Sequence, residues 1–381
     1  MRSHLARHSL LLLASFALLT AACTASDSEG SAGASDTTGG SGSEVDSAGE
    51  VGSAERCDAN KAAGKITYLS GFDYAASPGI LDVLMASQLG YFEELCLDVE
   101  VLPGFAPGNL GLVASGEAQF ANAGSLGDVV TTNVNGEADL VAVQQYGKVA
   151  IQALVVPADS AIESLSDIPG TLMGIKGDLP PDIEMMLSIE GVTRGDFDEL
   201  EVPFDPFGAF ELGIDSLPVY KSNEPGQLDA AGFEYRTFDP VDFGVPSSFG
   251  VLATSSSFLN DHPTAVQDFI RAVSKGFAYA VDNPEDAVAR AVEQINLGDN
   301  VAFLTTESET GRWAVESALV LDSTAGGEGP GIPDLTLAGE QVQLLTDIGR
   351  FETLPDWESM VDAGPAAGIY DGTEIIWPAG S

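Results

Sequence analysis

The stretch "VYKSNEP", Val219–Pro225, holds the side chains best suited to contact a small molecule. The Tyr220 ring can stack on a planar molecule, and the side chains of Asn223 and Glu224 can hydrogen-bond its polar edge. An ordinary helix start explains the same residues, with Asn223 as the cap and Pro225 in the first turn. An ionised Glu224 would disfavour a sulfonate and favour a ligand with amino or hydroxyl donors. The stretch therefore predicts either a ligand-binding surface or a capped helix.

Polar residues also follow two predicted strands nearer the N-terminus. In "SGFDYAASP", Asp73, Tyr74 and Ser77 come after the first predicted strand, and an ordinary turn is the alternative. Ser125 precedes a predicted helix, where its hydroxyl and the free backbone N–H groups could hold an anion or a polar edge. A plain helix cap is compatible with that role for Ser125. We expect these four residues to face a ligand.

Three further positions complete the candidate ligand-binding set. Lys176 and Gly177 stand in "KGDLPP", a helix entry of the same kind, although a single "GIKG" is a weak phosphate signal. Tyr146 ends another predicted strand and is included with them.

Catalytic and metal chemistry find little support in the residue types. The chain has three cysteines and three histidines, and only His262 lies beyond the N-terminal segment. A cysteine-based metal site would need more thiols than Cys57 and Cys96 can supply. We therefore predict no catalytic residues, no metal and no cofactor.

The charge of the chain excludes one class of partner. Its 15 basic and 58 acidic side chains give a formal charge of −43. So acidic a chain repels nucleic acid, and no basic stripe is present to neutralise phosphates. We predict no nucleic-acid partner and a monomeric protein.

The N-terminus has the layout of an export signal. Arg2 and Arg7 precede an apolar run from Leu10 to Leu19 that is too short to span a membrane. The end of this run, "LTAAC", resembles the lipobox of bacterial lipoproteins, with Thr20 where that family prefers Leu. We predict a signal peptide over 1–22 and lipidation at Cys23. Such a protein is exported and held by its lipid on the outer face of the cytoplasmic membrane or on another bacterial envelope membrane.

A polar segment follows the predicted anchor. Residues 23–60 are mainly Ser, Gly, Ala, Thr and acidic residues, with almost nothing to bury. This composition predicts a disordered, self-repelling tether between the lipid and a folded body.

Strands and helices alternate through the rest of the chain, which predicts an α/β fold with mainly parallel sheets flanked by helices. The pattern restarts after residue 155, so we predict a second lobe inserted into the first, with crossings near 147–160 and 239–248 as a hinge. The predicted parts are 61–155 for the first part of lobe I, 156–245 for lobe II and 246–381 for the return of lobe I with C-terminal helices. Ligands in such sheets bind beyond the carboxyl ends of the strands, here in the cleft between the lobes.

Several segments in this order resemble a known family. "GYFEELCLDVEV", "LVASGEAQFANAGS", "SLSDIPGTLMGIKG", "DSLPVYKSNEPGQLDAAG" and the helix "DHPTAVQDFIRAVSKGFAYAVDNP" are similar to segments of solute-binding lipoproteins of ABC importers. The similar branch takes sulfonates or thiamine-pyrimidine precursors, and the resemblance spans about residues 66–288. It implies a type II periplasmic-binding-protein-like fold that closes on a solute and delivers it to permease subunits in the membrane. It also implies that Asn223, Glu224 and Pro225 line the cleft.

The resemblance leaves the ligand and the exact role open. A planar heteroaromatic solute and a sulfonate-like solute are both compatible with it, and the Trp and His that pyrimidine-binding relatives carry near Asp73 are missing here. Similar enzymes of pyrimidine synthesis and of the menaquinone pathway, and a surface ligand sensor, are the alternative functions. Relatives usually have Gly where this chain has Cys96. We predict that Cys96 forms a disulfide with Cys57, because both precede strands that should be neighbours.

Overall fold

The computed structural model describes residues 49–136, 138–296 and 304–378. The predicted signal peptide, Cys23 and most of the predicted tether lie outside the described residues. The strands are β1 Lys65–Leu69, β2 Asp98–Leu102, β3 Phe120–Ala123, β4 Leu140–Gly147, β5 Gln152–Pro157, β6 Leu172–Ile175, β7 Asp198–Glu201, β8 Leu217–Tyr220, β9 Tyr235–Phe238, β10 Phe249–Ser255, β11 Tyr370–Asp371 and β12 Glu374–Ile375.

Helices fill most of the intervals between the strands. They are α1 Ala54–Ala62, α2 Leu81–Gln88, α3 Tyr91–Glu94, α4 Ala106–Ala114, α5 Leu126–Gly136, α6 Pro181–Ile189, α7 Pro206–Glu211, α8 Glu224–Ala230, α9 Ser256–Asp261, α10 Pro263–Asp282, α11 Pro284–Ile295, α12 Thr306–Ser323, α13 Leu335–Asp347 and α14 Gly364–Ala367. Within the described part of the chain, no helix is both long enough and apolar enough to cross a membrane.

A five-stranded sheet, here called the large sheet, has the strand order β2-β1-β3-β10-β4. β1 runs parallel to β2 and β3, whereas β10 runs antiparallel to β3 and β4. Parallel strands bring their carboxyl ends to one edge, so the loops after β1, β2 and β3 meet there.

A second sheet, here called the small sheet, has the order β8-β5-β9, with both neighbours antiparallel to β5. Its register pairs Gln152 with Tyr220 at one end and Pro157 with Tyr235 at the other. The parallel pair β6–β7 joins this region through a bridge between Met173 and Ser216. The chain thus leaves the large sheet after β4, builds the small sheet, and returns as β10.

Tight packing of α10 on α2 forms the centre of the core beside the large sheet. A β-carbon built on Gly276 of α10 would lie 2.1 Å from the backbone oxygen of Asp82 on α2, so the two helices approach closely. Phe269 of α10 stacks on Phe120 with ring centroids 4.1 Å apart. This arrangement buries the apolar stripe of the longest described helix.

The segment 78–92 forms two helices. α2 ends at Gln88 and α3 begins at Tyr91, because Gly90 between them takes a left-handed φ of 80°. Glycine adopts this conformation without steric cost and so interrupts the helix.

The prediction that the tether extends to residue 60 is wrong, because α1 begins at Ala54. Ser53 caps α1 by accepting a hydrogen bond from the Arg56 N–H. The Arg56 side chain is buried, and its Nε lies 2.7 Å from Asp268 Oδ2 on α10. The predicted Cys57–Cys96 disulfide is confirmed, with the two α-carbons 5.3 Å apart. An ion pair and a disulfide therefore hold a segment whose composition is that of a polar linker.

Candidate functional site

The loop after β1 holds three of the predicted ligand-binding residues. Asp73 has a left-handed φ of 46°, and its N–H donates to the Gly104 carbonyl at 3.2 Å. The half-buried Tyr74 packs beside Ile80 and donates its hydroxyl to the Val101 carbonyl at 3.4 Å. Both residues thus have structural contacts with β2 and the segment that follows it.

Helix α12 fixes the end of the same loop. The Ala76 N–H donates to Glu309 Oε2 at 2.6 Å, and Arg312 pairs with that carboxylate at 3.2 Å. The third loop residue, Ser77, lies beside Glu316. Burial raises the pKa of the Glu316 carboxyl, and a hydrogen bond from the Ser77 hydroxyl helps to lower it. The C-terminal helices therefore complete the surroundings of the loop after β1.

Ser125 starts α5 as the sequence predicts, but its polar groups are already occupied. Its N–H and its hydroxyl both donate to Asp128 Oδ2, at 2.8 and 2.9 Å. Burial raises the pKa of Asp128, while the bonds from Ser125 and the charge of Arg350 lower it. The surface of Asp128 is nevertheless exposed.

The second predicted helix entry also has internal partners. Gly177 has a φ of 91°, and its N–H donates to both carboxylate oxygens of Glu201, at 3.0 and 3.2 Å. Lys176 forms an ion pair with Glu224. Neither group is therefore arranged as a phosphate cradle.

The β8–α8 turn places Tyr220 and Glu224 together. Glu224 is buried, pairs with Lys176, and accepts a hydrogen bond from the Tyr220 N–H at 2.9 Å. The Asn223 side chain accepts from Gln227 at 3.1 Å and does not cap the helix. Tyr220 is 43% exposed at the end of a strand that is otherwise buried. Glu224 therefore shapes the turn, and Tyr220 presents its ring to solvent.

Two adjacent serines tie the starts of α5 and α6 to the chain that returns to the large sheet. Ser247 donates to Asp182 Oδ1 at 2.7 Å, and Ser248 accepts from the Leu126 N–H at 2.9 Å. Burial raises the pKa of Asp182 to about 6, the Ser247 bond lowers it, and the nearby Asp128 carboxylate raises it. The two helix starts therefore bring Asp128 and Asp182 into one electrostatic environment.

A hydrogen bond also joins the β8–α8 turn to α12. Ser222, two residues after β8, donates to Glu316 Oε1 of α12 at 2.6 Å. Burial raises the pKa of Tyr220, and four carboxylates raise it further, on Asp128, Glu316, Asp182 and Glu224 in decreasing order. Acidic groups on α5, α6, α8 and α12 thus all act electrostatically on one exposed aromatic side chain. We call Tyr220, Asp128, Asp182, Glu224 and Glu316 the acidic cluster.

Tyr146 is not presented to a ligand. Its side chain is 1% exposed and stacks on Phe277 with centroids 4.7 Å apart. Its hydroxyl points to Asp82 in the core, and the two groups perturb one another electrostatically. The inward orientation makes Tyr146 a core residue.

Sequence reasoning missed Asp128, Asp182 and Glu316. The signal for Asp128 and Asp182 was their position, since each lies in the first turn of a helix that follows a strand. No local signal pointed to Glu316, because only the tertiary position of α12 brings it next to the β8–α8 turn.

A separate cavity of about 380 Å³ lies beside α1, with Arg56, Arg271 and Trp377 in its lining. Both arginines are engaged by Asp268, so this cavity is part of the contact between α1 and α10. Among the described residues, no group of three or more His, Cys, Asp or Glu side chains is arranged to hold a metal ion.

Comparison with known sequences gives consistent matches. A profile of the family described as NMT1/THI5 like matches residues 77–287, which is 211 of the 381 residues. The formylaminopyrimidine-binding protein of Halalkalibacterium halodurans is 25% identical over 54% of this chain and 63% of its own length. The riboflavin-binding protein RibY of Chloroflexus aurantiacus is 26% identical over 39% of this chain and 44% of its own length. The chain thus spans less than two thirds of either curated relative.

Solved structures share the fold. The periplasmic aliphatic sulphonate binding protein SsuA of Escherichia coli superposes with a TM-score of 0.58, at 14% identity, over 82% of this chain and 92% of that one. The desulfurization enzyme DSZB superposes with a TM-score of 0.52, at 14% identity, over 79% of this chain and 97% of that one. The fold is therefore the two-lobed α/β fold of periplasmic binding proteins.

Proposed function

The chain belongs to the NMT1/THI5-like family, and we propose that it is an extracytoplasmic substrate-binding protein of an ABC importer. In this proposal it captures a small polar solute between its lobes and hands it to permease subunits. The observation that carries the proposal is the position of Tyr220, an exposed ring on which carboxylates from elements next to both sheets act electrostatically. An exposed aromatic ring next to polar groups suits a small, planar solute.

Closure of the two lobes would couple binding to delivery. Lobe II, 156–245, would move relative to 61–155 and 246–381 about the two crossings between the sheets. A solute that contacts Tyr220 on one side and α5 or α12 on the other binds better to the closed form and so increases its population. The Ser222–Glu316 hydrogen bond is the kind of contact that such closure would make or break.

The membrane part of the proposal rests on the N-terminal sequence. A lipid on Cys23 would hold the protein at the membrane that contains the permease, and a tether of about 30 residues would let it move over that surface. The two related sequences are named as binding proteins for a pyrimidine and for riboflavin, both planar heteroaromatic molecules. These names support a planar solute here.

An enzyme on the same fold is the second candidate, favoured by the likeness to DSZB. Both described cysteines are joined in the disulfide, so neither offers a thiolate nucleophile. Conversion of the bound molecule over time would favour the enzyme.

Native mass spectrometry of the exported protein tests the proposal. We expect a copurified small molecule that is retained unchanged on the wild-type protein and lost from Tyr220→Ala. Tyr235→Ala is the matched control, because Tyr235 lies at the opposite end of the small sheet. Equal retention by the two variants, or conversion of the molecule to a product, would refute binding without chemistry at this site.

A further inference from the structure

The cavity beside α1 is separate from the acidic cluster and is large enough for a small molecule. Its volume is about 380 Å³, and three distant parts of the chain line it. These are the segment 49–51 with the start of α1, the helix α10, and the C-terminal segment 368–377. Glu50 and Ile376 in its lining are exposed, so the cavity is open to solvent.

Two arginine side chains in this lining share a single carboxylate. Arg56 Nη2 and Arg271 Nε both donate to Asp268 Oδ1, each at 2.9 Å. Arg56 Nε donates to the other oxygen of Asp268 at 2.7 Å. None of the three side chains is more than 3% exposed. Within the described residues neither arginine has another acidic group at ion-pair distance, so one buried positive charge is left uncompensated.

The Arg271 guanidinium has N–H groups to spare. Its Nη1 donates to the backbone oxygens of Ile369 and Ile376, at 3.3 and 2.7 Å. Its Nη2 has no hydrogen-bond partner among the residues that the structure describes. Burial, together with the charge of Arg56, lowers the pKa of Arg271 although Asp268 raises it. A buried guanidinium with unpaired N–H groups beside a cavity points to an anion as the missing partner.

The rest of the lining is largely apolar. Val51 and Ile376 contribute to it, and so does Trp377, whose indole N–H already donates to Glu94 at 2.9 Å. Lys275 lies over the Trp377 ring, 3.6 Å from its centroid. An anion that also carries an apolar body would match both parts of the lining, whereas a bare inorganic ion would leave the apolar part unfilled.

We propose that this cavity binds a small organic carboxylate, with its oxygens on Arg271 and its apolar part against Val51 and Trp377. Its single negative charge matches the one uncompensated positive charge. The proposal is independent of the proposed function, because no member of the acidic cluster lines this cavity. A bound carboxylate would connect α1, α10 and the C-terminal segment, and would so stabilise the attachment of the N-terminal segment to the folded body.

Isothermal titration calorimetry of the full chain with three probes tests the proposal. The probes are benzoate, benzamide, which has nearly the same shape without the charge, and formate, which has the charge without the apolar body. At neutral pH and constant chloride we expect benzoate to bind with a dissociation constant below about 1 mM. Benzamide and formate should each bind at least about tenfold more weakly.

Variants of the exposed side of the lining locate the binding and leave the buried arginines in place. Val51→Asp adds a carboxylate that competes with the ligand, so it should bind benzoate at least about tenfold more weakly than its neutral match, Val51→Asn. Glu50→Gln removes the acidic side chain of the lining and should strengthen binding about threefold. Tyr220→Ala lies outside the cavity and should bind benzoate as the wild-type protein does.

The predicted order of the three probes, together with the difference between Val51→Asp and Val51→Asn, would support the proposal. Benzamide binding as tightly as benzoate, or no binding of benzoate to the folded wild-type protein, would overturn it. Formate binding as tightly as benzoate would show a site for a small ion alone and overturn the organic ligand class. Equal affinities of the two Val51 variants, or loss of binding in Tyr220→Ala, would show that benzoate binds elsewhere.

Discussion

Cys96 occupies a backbone position that normally favours glycine. Its φ is 61°, and it is one of two non-glycine residues with positive φ in the described part of the chain. A side chain in this conformation costs about 1–2 kcal/mol. The disulfide to Cys57 closes a loop with a sequence separation of 39, which should contribute about 4 kcal/mol. The gain from the disulfide therefore exceeds the cost of the turn.

A pair of double variants separates these two effects. Cys57→Ala/Cys96→Ala loses the disulfide and keeps a β-carbon in the left-handed turn, whereas Cys57→Ala/Cys96→Gly loses the disulfide alone. We expect the glycine variant to be the more stable by about 1 kcal/mol in urea unfolding, and both to be less stable than wild type. An alanine variant as stable as the glycine variant would show that the turn carries no strain.

Asp82 is a buried acid with an unusual environment. Neither carboxylate oxygen has a hydrogen-bond partner that meets normal geometry, although the nearby Tyr146 hydroxyl lowers its pKa. Burial is the larger influence and raises the pKa of Asp82 to about 7. The core therefore favours the protonated, neutral form.

This raised pKa predicts a pH-dependent stability. Between about pH 4 and pH 7 the native protein binds a proton at Asp82 that the unfolded chain releases, so this group's contribution to stability falls as pH rises. Asp82→Asn cannot ionise, and its free energy of unfolding relative to wild type should increase from pH 4 to pH 7 by up to roughly 4 kcal/mol. Denaturant unfolding of both proteins at each pH measures the difference. A constant or falling difference would contradict the prediction.

At the scale of elements, local patterns predicted most helices and strands but missed those that depend on distant partners. α1 has a polar composition, and its buried Arg56 gains its ion-pair partner from Asp268, 212 residues away. β5 is an apolar segment next to another strand, and the sequence predicts it as part of a crossing, since periodicity does not show that it enters a second sheet. Such elements follow from tertiary contacts, which one sequence does not reveal.

The close packing of α10 on α2 gives a direct test at the scale of elements. Gly276→Ala would place a β-carbon 2.1 Å from the Asp82 backbone oxygen, so α10 and α2 would have to separate. We expect a loss of about 1–3 kcal/mol in the free energy of unfolding.

Gly311→Ala is the matched control for this test. Gly311 lies in α12, and an added β-carbon there meets no atom within 4 Å. Because alanine favours helix more than glycine does, this variant should be neutral or more stable by up to about 1 kcal/mol. A Gly276→Ala protein as stable as the control would contradict the close approach of the two helices.

For the whole molecule, the alternation of strands and helices and the order of family-like segments were sufficient to predict the fold. The candidate site was only partly predictable. Tyr220 and Glu224 were visible in one short motif, and the structure brings them together. Glu316 and the inward orientation of Tyr146 depend on how α12 and Phe277 pack, and no local pattern shows this.

Membrane attachment is testable on the full chain. Cys23→Ser should move the exported protein from the membrane fraction to the soluble fraction of the envelope, because it removes the predicted lipid acceptor. Labelling with a radioactive fatty acid should fail for this variant. Cys57→Ser is the control and should remain in the membrane fraction. A Cys23→Ser protein that stays with the membrane would contradict the predicted anchor.

A crystal structure of the wild-type protein with its copurified molecule tests the central claim most directly. We expect density for a small molecule against the Tyr220 ring, within hydrogen-bond distance of at least one carboxylate from Asp128, Asp182 or Glu316. A molecule bound instead in the cavity beside Arg56 and Trp377, with nothing at Tyr220, would contradict the account.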